Sequence, residues 1–86
     1  MRVGVIGAGQ MGCGIAHVFA LAGTRVLVND ISPDRIEAGL KTISGNLARQ
    51  VASDKITAED SDAALARIHA AGTLSTMADA DLVIEA

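Results

Sequence analysis

Val3-Gly-Val-Ile-Gly-Ala-Gly-Gln-Met-Gly12 opens the chain with a short β-branched run that breaks into glycines. A run of this kind, ended by Gly7, has the form of a strand buried on both faces. The period then changes. Met11, Ile15, Val18, Phe19 and Ala22 recur at three- and four-residue steps, which predicts a helix with those residues as its apolar stripe. Gly23 follows as a natural helix-closing residue, and Arg25-Val-Leu-Val-Asn29 is a second β-branched run ending at Asp30. Strand, glycine turn, helix and strand form a βαβ unit with parallel strands and a right-handed crossover.

Within this unit Gly7-Ala8-Gly9-Gln10-Met11-Gly12 is a G-x-G-x-x-G. The pattern alone is weak, and a glycine-rich turn with no ligand is the alternative. Here it follows a strand and opens a helix, as a dinucleotide-binding turn requires. Gly7 serves the tight turn, Gly9 lets backbone approach a pyrophosphate, and Gly12 lets the helix pack closely on the strand. Free amides at the helix start would face the diphosphate. Asp30 stands about twenty positions beyond Gly9, where a carboxylate accepts hydrogen bonds from the ribose of NAD. The other reading of Asp30 is an acid leading into the next helix. Ile31 and Ser32 follow it, so no adjacent arginine offsets its repulsion of a 2′-phosphate, and the expected cofactor is NAD rather than NADP.

Beyond Asp30, Ser32-Pro33-Asp34 marks a helix start, with a capping hydroxyl, a proline at the first helical position and an acid suited to the dipole. Ile36, Leu40, Ile43, Leu47 and Val51 carry the stripe to an end near Ser53. Thr57 with Asp60 predicts a capping box on a second helix that ends by Arg67. Ile68–Gly72 reads as a short strand, Leu74–Ala78 as a helical turn and Asp81–Ala86 as a last strand. The fold expected is α/β, the first half of a Rossmann fold, with a parallel sheet ordered 3-2-1-4. The two-helix excursion between the second and third strands is its unusual feature.

Composition narrows the function. The 86 residues, half of them apolar but with a single aromatic (Phe19), allow one small domain with an aliphatic core. The net charge of −3 argues against nucleic acid. A lone Cys13 rules out an internal disulfide and suits a reducing cytoplasm. The first apolar run is too short for a membrane span or signal peptide. No metal site is expected. Cys13 lies near a helix amino terminus that could lower its pKa, but a small packing residue is the favoured reading. His17 and His69 read as surface or partly buried side chains. Gly14 costs a helix about 1 kcal/mol relative to alanine, which suggests close approach to the sheet or to the cofactor. Arg35, Lys41, Arg49 and Lys55 read as a solvated face or as contacts to an anionic substrate.

The run from Val5 to Ala20, with Gly45–Val51, Lys55–Thr57, Ala64–Ile68 and Ala80–Ala86, resembles the opening of the 3-hydroxyacyl-CoA dehydrogenases, above all the bacterial 3-hydroxybutyryl-CoA type. His17 stands where a Gln is expected. The resemblance implies an oxidoreductase that interconverts 3-hydroxyacyl-CoA and 3-oxoacyl-CoA in fatty acid metabolism. It makes Gly7, Ala8, Gly9, Gln10, Met11, Gly12 and Asp30 NAD ligands. It also implies that the helix pair forms an arm holding the CoA portion, with Asn46, Arg49, Ser53 and Lys55 in the region of that contact. The family's catalytic His–Glu pair would fall after the last strand, so no catalytic residue is assigned. Residues 1–86 read as the amino-terminal half of a dinucleotide-binding domain. A stand-alone or engineered half-Rossmann module, binding nucleotide and self-associating without catalysis, is the alternative. The strand 81–86 would be an unpaired edge, and a homodimer joined through it is expected.

Overall fold

Strand β1, Arg2–Ile6, is the axis of the molecule, and a computed structural model describes residues 1–86 around it, the side chain of Leu74 excepted. It pairs in parallel with β2 (Arg25–Asn29) on one side and β4 (Leu82–Glu85) on the other. Strand β3 (Ile68–Ala70) pairs with β2, and the sheet runs β3-β2-β1-β4, as the sequence predicts. The register sets Val3 opposite Val26 and Leu82, and Val5 opposite Val28 and Ile84. Because strand side chains alternate between faces, Val3, Val5, Val26 and Val28 share one face, and all four are buried.

Three helices cover that face: α1 (Gln10–Leu21), α2 (Pro33–Ala52) and α3 (Ala58–Ala66). Ala16, Ala20, Ile43, Leu47 and Ala64 close the core against the valines. The opposite face carries a 3-10 helix, Leu74–Asp79, slightly longer than the helical turn expected there. Its Met77 lies over Gly4, where a Cβ would collide with the methionine sulfur. Strand β3 is shorter than Ile68–Gly72, because Ala71 leaves the ladder after one backbone bond to Val28.

The structure corrects the phase of α1. Its buried residues are Gly12, Cys13, Ala16 and Ala20, whereas Met11 and Val18 are 70% and 66% exposed. Ile15 and Phe19 are half-buried and Ala22 is exposed. The helix lies so close to the strands that only small side chains fit between them. Turning a helix by one residue rotates its faces by about 100°, and the bulky stripe marked the flank rather than the core. The Gly14 expectation fails in part too: a Cβ there would meet nothing within 4 Å, so it makes no close approach to the sheet. In α2 the stripe is correctly phased, with Ile36, Ile43 and Leu47 buried and Leu40 half-buried.

The helix ends differ in chemistry. Gly23, at φ +96°, closes α1 in a Schellman arrangement, with the Thr24 and Gly23 N–H groups on the Phe19 and Ala20 carbonyls at 3.0 and 3.1 Å. Thr57 and Asp60 form the expected capping box, at 3.0 and 3.3 Å. Ser32 stands at the predicted cap of α2, but its hydroxyl makes no capping bond. Its own N–H instead donates to Asp30 Oδ1 at 3.1 Å.

These ends give a paired test. Thr57→Ala should lower stability by about 1 kcal/mol, which is roughly 4–8 °C in Tm for a domain of this size. Ser32→Ala should stay within about 0.5 kcal/mol. Thermal unfolding followed by circular dichroism reads both, and equal losses would contradict the capping geometry.

Candidate functional site

The site forms at the carboxyl ends of β1, β2 and β4, where the strand order reverses and a crevice opens in sheets of this kind. Gly7 leaves β1 at φ +108°, a conformation that disfavours any residue with a Cβ. Its N–H donates to the Asn29 carbonyl at 2.7 Å, so the turn is tied to the end of β2. Gly12 then passes directly over Gly7, and a Cβ on it would overlap the Gly7 carbonyl oxygen. Gly39 of α2 crosses the same turn: a Cβ there would stand 3.0 Å from both the Ala8 carbonyl oxygen and the Cys13 sulfur.

Gly9 is different. Its φ of −75° is open to any residue, and a Cβ would find nothing within 4 Å. Neither its backbone angles nor its surroundings require a glycine there, and the position is open to a group approaching from outside. The same place offers unclaimed donors. The Cys13 N–H bonds the Gly9 carbonyl at 2.9 Å, the Gly9 cap has no side chain to serve the earlier amides, and no acid stands in the first turn. Such a helix start, with the positive end of its dipole and free amides, suits a diphosphate. The turn therefore fits a dinucleotide.

Asp30 joins the turn to α2. Its Oδ2 accepts the Ala8 N–H at 3.0 Å and its Oδ1 accepts the Ser32 N–H at 3.1 Å. Those two backbone donors hold its carboxyl below the usual carboxylate range, with a smaller contribution from the Arg35 charge. It is therefore ionised at neutral pH, and each oxygen keeps a lone pair for a further donor. Asp30 leads into the helix, and it also lines a cavity of about 470 Å³ together with Gly7, Asn29, Ile31, Arg35 and Glu85. A neighbouring, mainly apolar cavity of about 330 Å³ is lined by Ile31, Pro33, Ile36 and Leu40, together with Asp30 and Glu37.

Arg35, read from the sequence as part of a solvated face or as a contact to an anionic substrate, is exposed and lines the same cavity as Asp30. Asn29 was missed; buried, it donates from Nδ2 to the Ala71 carbonyl at 2.7 Å and holds the loop beyond β3 against the crevice.

A second cavity, about 370 Å³, gathers Asn46, Arg49, Ser53 and Lys55. These four, spread over ten positions, meet because α2 ends there and the chain turns back into α3. His17 of α1 and Gln50 complete the lining, with His17 Nε2 and Gln50 Oε1 2.8 Å apart. Neither was singled out for this place; only the α1–α2 packing joins them. The lining carries two fixed cations and no acid, which suits an anionic ligand. Arg49 hydrogen-bonds Asn46, and the Ser53 hydroxyl donates to the Arg49 carbonyl at 2.8 Å. Cys13 is a packing residue: it is 3% exposed, its thiol lies against the Ala8 and Gly39 carbonyls at 3.3 and 3.6 Å, and burial pushes its pKa up rather than down. His69 lies exposed on the other sheet face, away from both cavities.

Residues 2–86 match the sequence model of the family described as 3-hydroxyacyl-CoA dehydrogenase, NAD binding domain. A 3-hydroxybutyryl-CoA dehydrogenase of Bradyrhizobium diazoefficiens is 61% identical over 84 residues, covering 98% of the chain and 29% of that protein. One from Mycobacterium tuberculosis is 45% identical over 85 residues, covering 99% of the chain and 30% of that protein. The crystal structure of an (S)-3-hydroxybutyryl-CoA dehydrogenase from Ralstonia eutropha superposes with a TM-score of 0.95 at 39% identity, covering 99% of the chain and 30% of that structure. The chain thus spans about 30% of the length of these relatives.

The glycines can be separated by experiment. Gly9→Ala should leave Tm within about 3 °C, apart from the small preference of a cap for glycine over alanine, and weaken NADH binding by tenfold or more. Gly12→Ala should destabilise by several kcal/mol or unfold the chain, because backbone cannot yield. Thermal melts and an NADH fluorescence titration check both, and a Gly9→Ala protein that binds normally would remove the argument for a ligand at the turn.

Proposed function

The chain belongs to the 3-hydroxyacyl-CoA dehydrogenase family through its NAD-binding domain, and on that footing we propose that it is the coenzyme-binding part of an oxidoreductase interconverting a 3-hydroxyacyl-CoA and its 3-oxoacyl-CoA. The observation that carries this reading is the Gly9 position, open outward beside unclaimed amides while Gly7 and Gly12 are closed inward. In this reading Gly7 and Ala8 shape the turn, and the amides around Gly9, Gln10, Met11 and Gly12 hold the pyrophosphate. Asp30 accepts from the adenosine ribose. Bound NAD supplies the hydride acceptor, or NADH the donor. Residues 1–86 are then the amino-terminal half of the dinucleotide domain. The general base belongs to the part of the relatives that this chain does not span. The setting we propose is cytoplasmic fatty acid metabolism; no helix among the described residues is long and apolar enough to cross a membrane.

The second cavity we assign to the CoA portion of the substrate, with Asn46, Arg49, Ser53 and Lys55 as its contacts. What supports this is the acid-free, cationic lining, since CoA brings phosphates. In the 86-residue chain NADH should bind, and CoA should bind weakly at the arm. Arg49→Ala and Lys55→Ala should each weaken CoA about 3- to 10-fold, the effect of one charge at partly screened range. No oxidation of NADH by acetoacetyl-CoA should occur above a protein-free control. NMR shift mapping and absorbance at the NADH band read these outcomes. CoA shifts that avoid α2 would overturn the arm assignment, and turnover would place a general base within these residues.

A second reading rests on β4. It ends the sheet order, so one edge of Leu82–Glu85 has no strand beside it, and Leu82 and Val83 are 42% and 44% exposed. An apolar, uncharged-centred edge is a template for pairing. We propose that the 86-residue chain by itself forms a homodimer by joining two β4 edges about a two-fold axis. Covering about 500 Å² of apolar surface would contribute on the order of 12 kcal/mol before association entropy opposes it. Light scattering at micromolar concentration should report twice the 8.7 kDa chain mass; a folded monomer would sink the proposal.

A further inference from the structure

Arg35 is an uncommitted cation in the coenzyme cavity. It is the third residue of α2, after Pro33 and Asp34, and its N–H bonds the Ser32 carbonyl at 3.1 Å. The positive end of a helix dipole disfavours a cation there, so the helix does not explain the residue. No carboxylate explains it either. Among the described residues the ion pair formed is Lys41 with Glu37, and Arg35 has no acid within 4.0 Å. Its side chain nonetheless lines the 470 Å³ cavity beside Asp30, Ile31 and Gly72. An exposed guanidinium beside that cavity, acting on Asp30 through its charge without an ion-pair contact, presents its fork to phosphate or carboxylate oxygens.

The two charges lie on one wall and act oppositely on the same part of a dinucleotide. Asp30 favours a ribose with free hydroxyls and repels a phosphate on them, whereas an arginine near that carboxylate accommodates a 2′-phosphate. We propose that Arg35 is a specificity-determining residue, a 2′-phosphate contact in the adenosine-ribose pocket that Asp30 holds in check. The chain therefore discriminates between NADH and NADPH through the balance of two side chains rather than through Asp30 alone. Its preference for NADH is shallower than the sequence around Asp30 implies, and loss of the carboxylate reverses it.

This rests on the reading of the Gly7–Gly12 turn as the dinucleotide site. The test is a set of fluorescence titrations of the 86-residue chain with NADH and with NADPH. In Arg35→Gln the affinity ratio should move about 5- to 10-fold against NADPH, the effect of one partly screened charge. In Asp30→Asn, which keeps the shape of the side chain, the ratio should move in the opposite direction until NADPH binds as well as NADH or better. Because Asp30 also ties Ala8 to Ser32, a thermal melt accompanies that variant, and Arg35→Gln alone remains decisive if it unfolds. A competition of 2′,5′-ADP against 5′-ADP should show the same 5- to 10-fold loss for the 2′-phosphorylated ligand. Equal weakening of both coenzymes by Arg35→Gln assigns the side chain to the base or pyrophosphate and overturns the proposal. An unchanged ratio overturns it as well, while leaving the dinucleotide site intact. If neither coenzyme binds the unmodified chain, both readings fall together.

Discussion

Gly12 rests on the carbonyl of Gly7 with no room for a Cβ between them, and most of the remaining geometry follows from that contact. It brings α1 down onto β1 until only Cys13, Ala16 and Ala20 fit beneath the helix. It aims the first turn of α1 back over the end of β1, so its free amides gather beside Gly9. It also lowers the turn enough for α2 to pass over it at Gly39, against Ala8 and Cys13. A core of valines and alanines with Ile43 and Leu47, without aromatics among its fully buried members, is sufficient because the elements approach so closely. Dispersion falls steeply with separation, and close packing of small groups replaces bulk.

Asp30 is the second joint. Through Ala8 on one oxygen and Ser32 on the other, it couples the glycine turn to the start of α2. The carboxylate that lines the cavity thus also fixes the Ser32 N–H at the entry to α2, while the Ser32 hydroxyl makes no capping bond. A ligand held at the turn and a ligand held along α2 then bear on one rigid unit. The cationic cavity at the far end of α2, with His17 and Gln50 bridging α1 to it, lies on the same pair of helices. The two cavities therefore share a scaffold, one at the start of α2 and the cationic one at its end.

Local chemistry was legible wherever one residue sufficed to state it. The Thr57–Asp60 box, the closure at Gly23, the bounds of β2 and the stripe of α2 all follow from chain-neighbour geometry, which a sequence carries in full. The strand order 3-2-1-4 was legible for a related reason: a glycine turn between parallel strands admits few topologies. The face of α1 was not. Bulk and burial usually coincide, but here the available gap selected small residues, and no periodicity reports the width of a gap.

The candidate site divides in the same way. The residue types of the G-x-G-x-x-G and the acid after β2 determined what kind of ligand this protein holds, because a turn glycine and an acid at a strand end can be read from residue type and spacing. Tertiary structure alone decided which glycines are packed against the fold and which is left open. It alone brought Arg35 to Asp30's cavity and placed His17 beside Gln50 and Arg49. Those relations join side chains on different elements or different turns, and their distances depend on how closely helices settle on the sheet. That closeness is a property of the packed core, summed over many small contacts, and no single stretch of sequence states it.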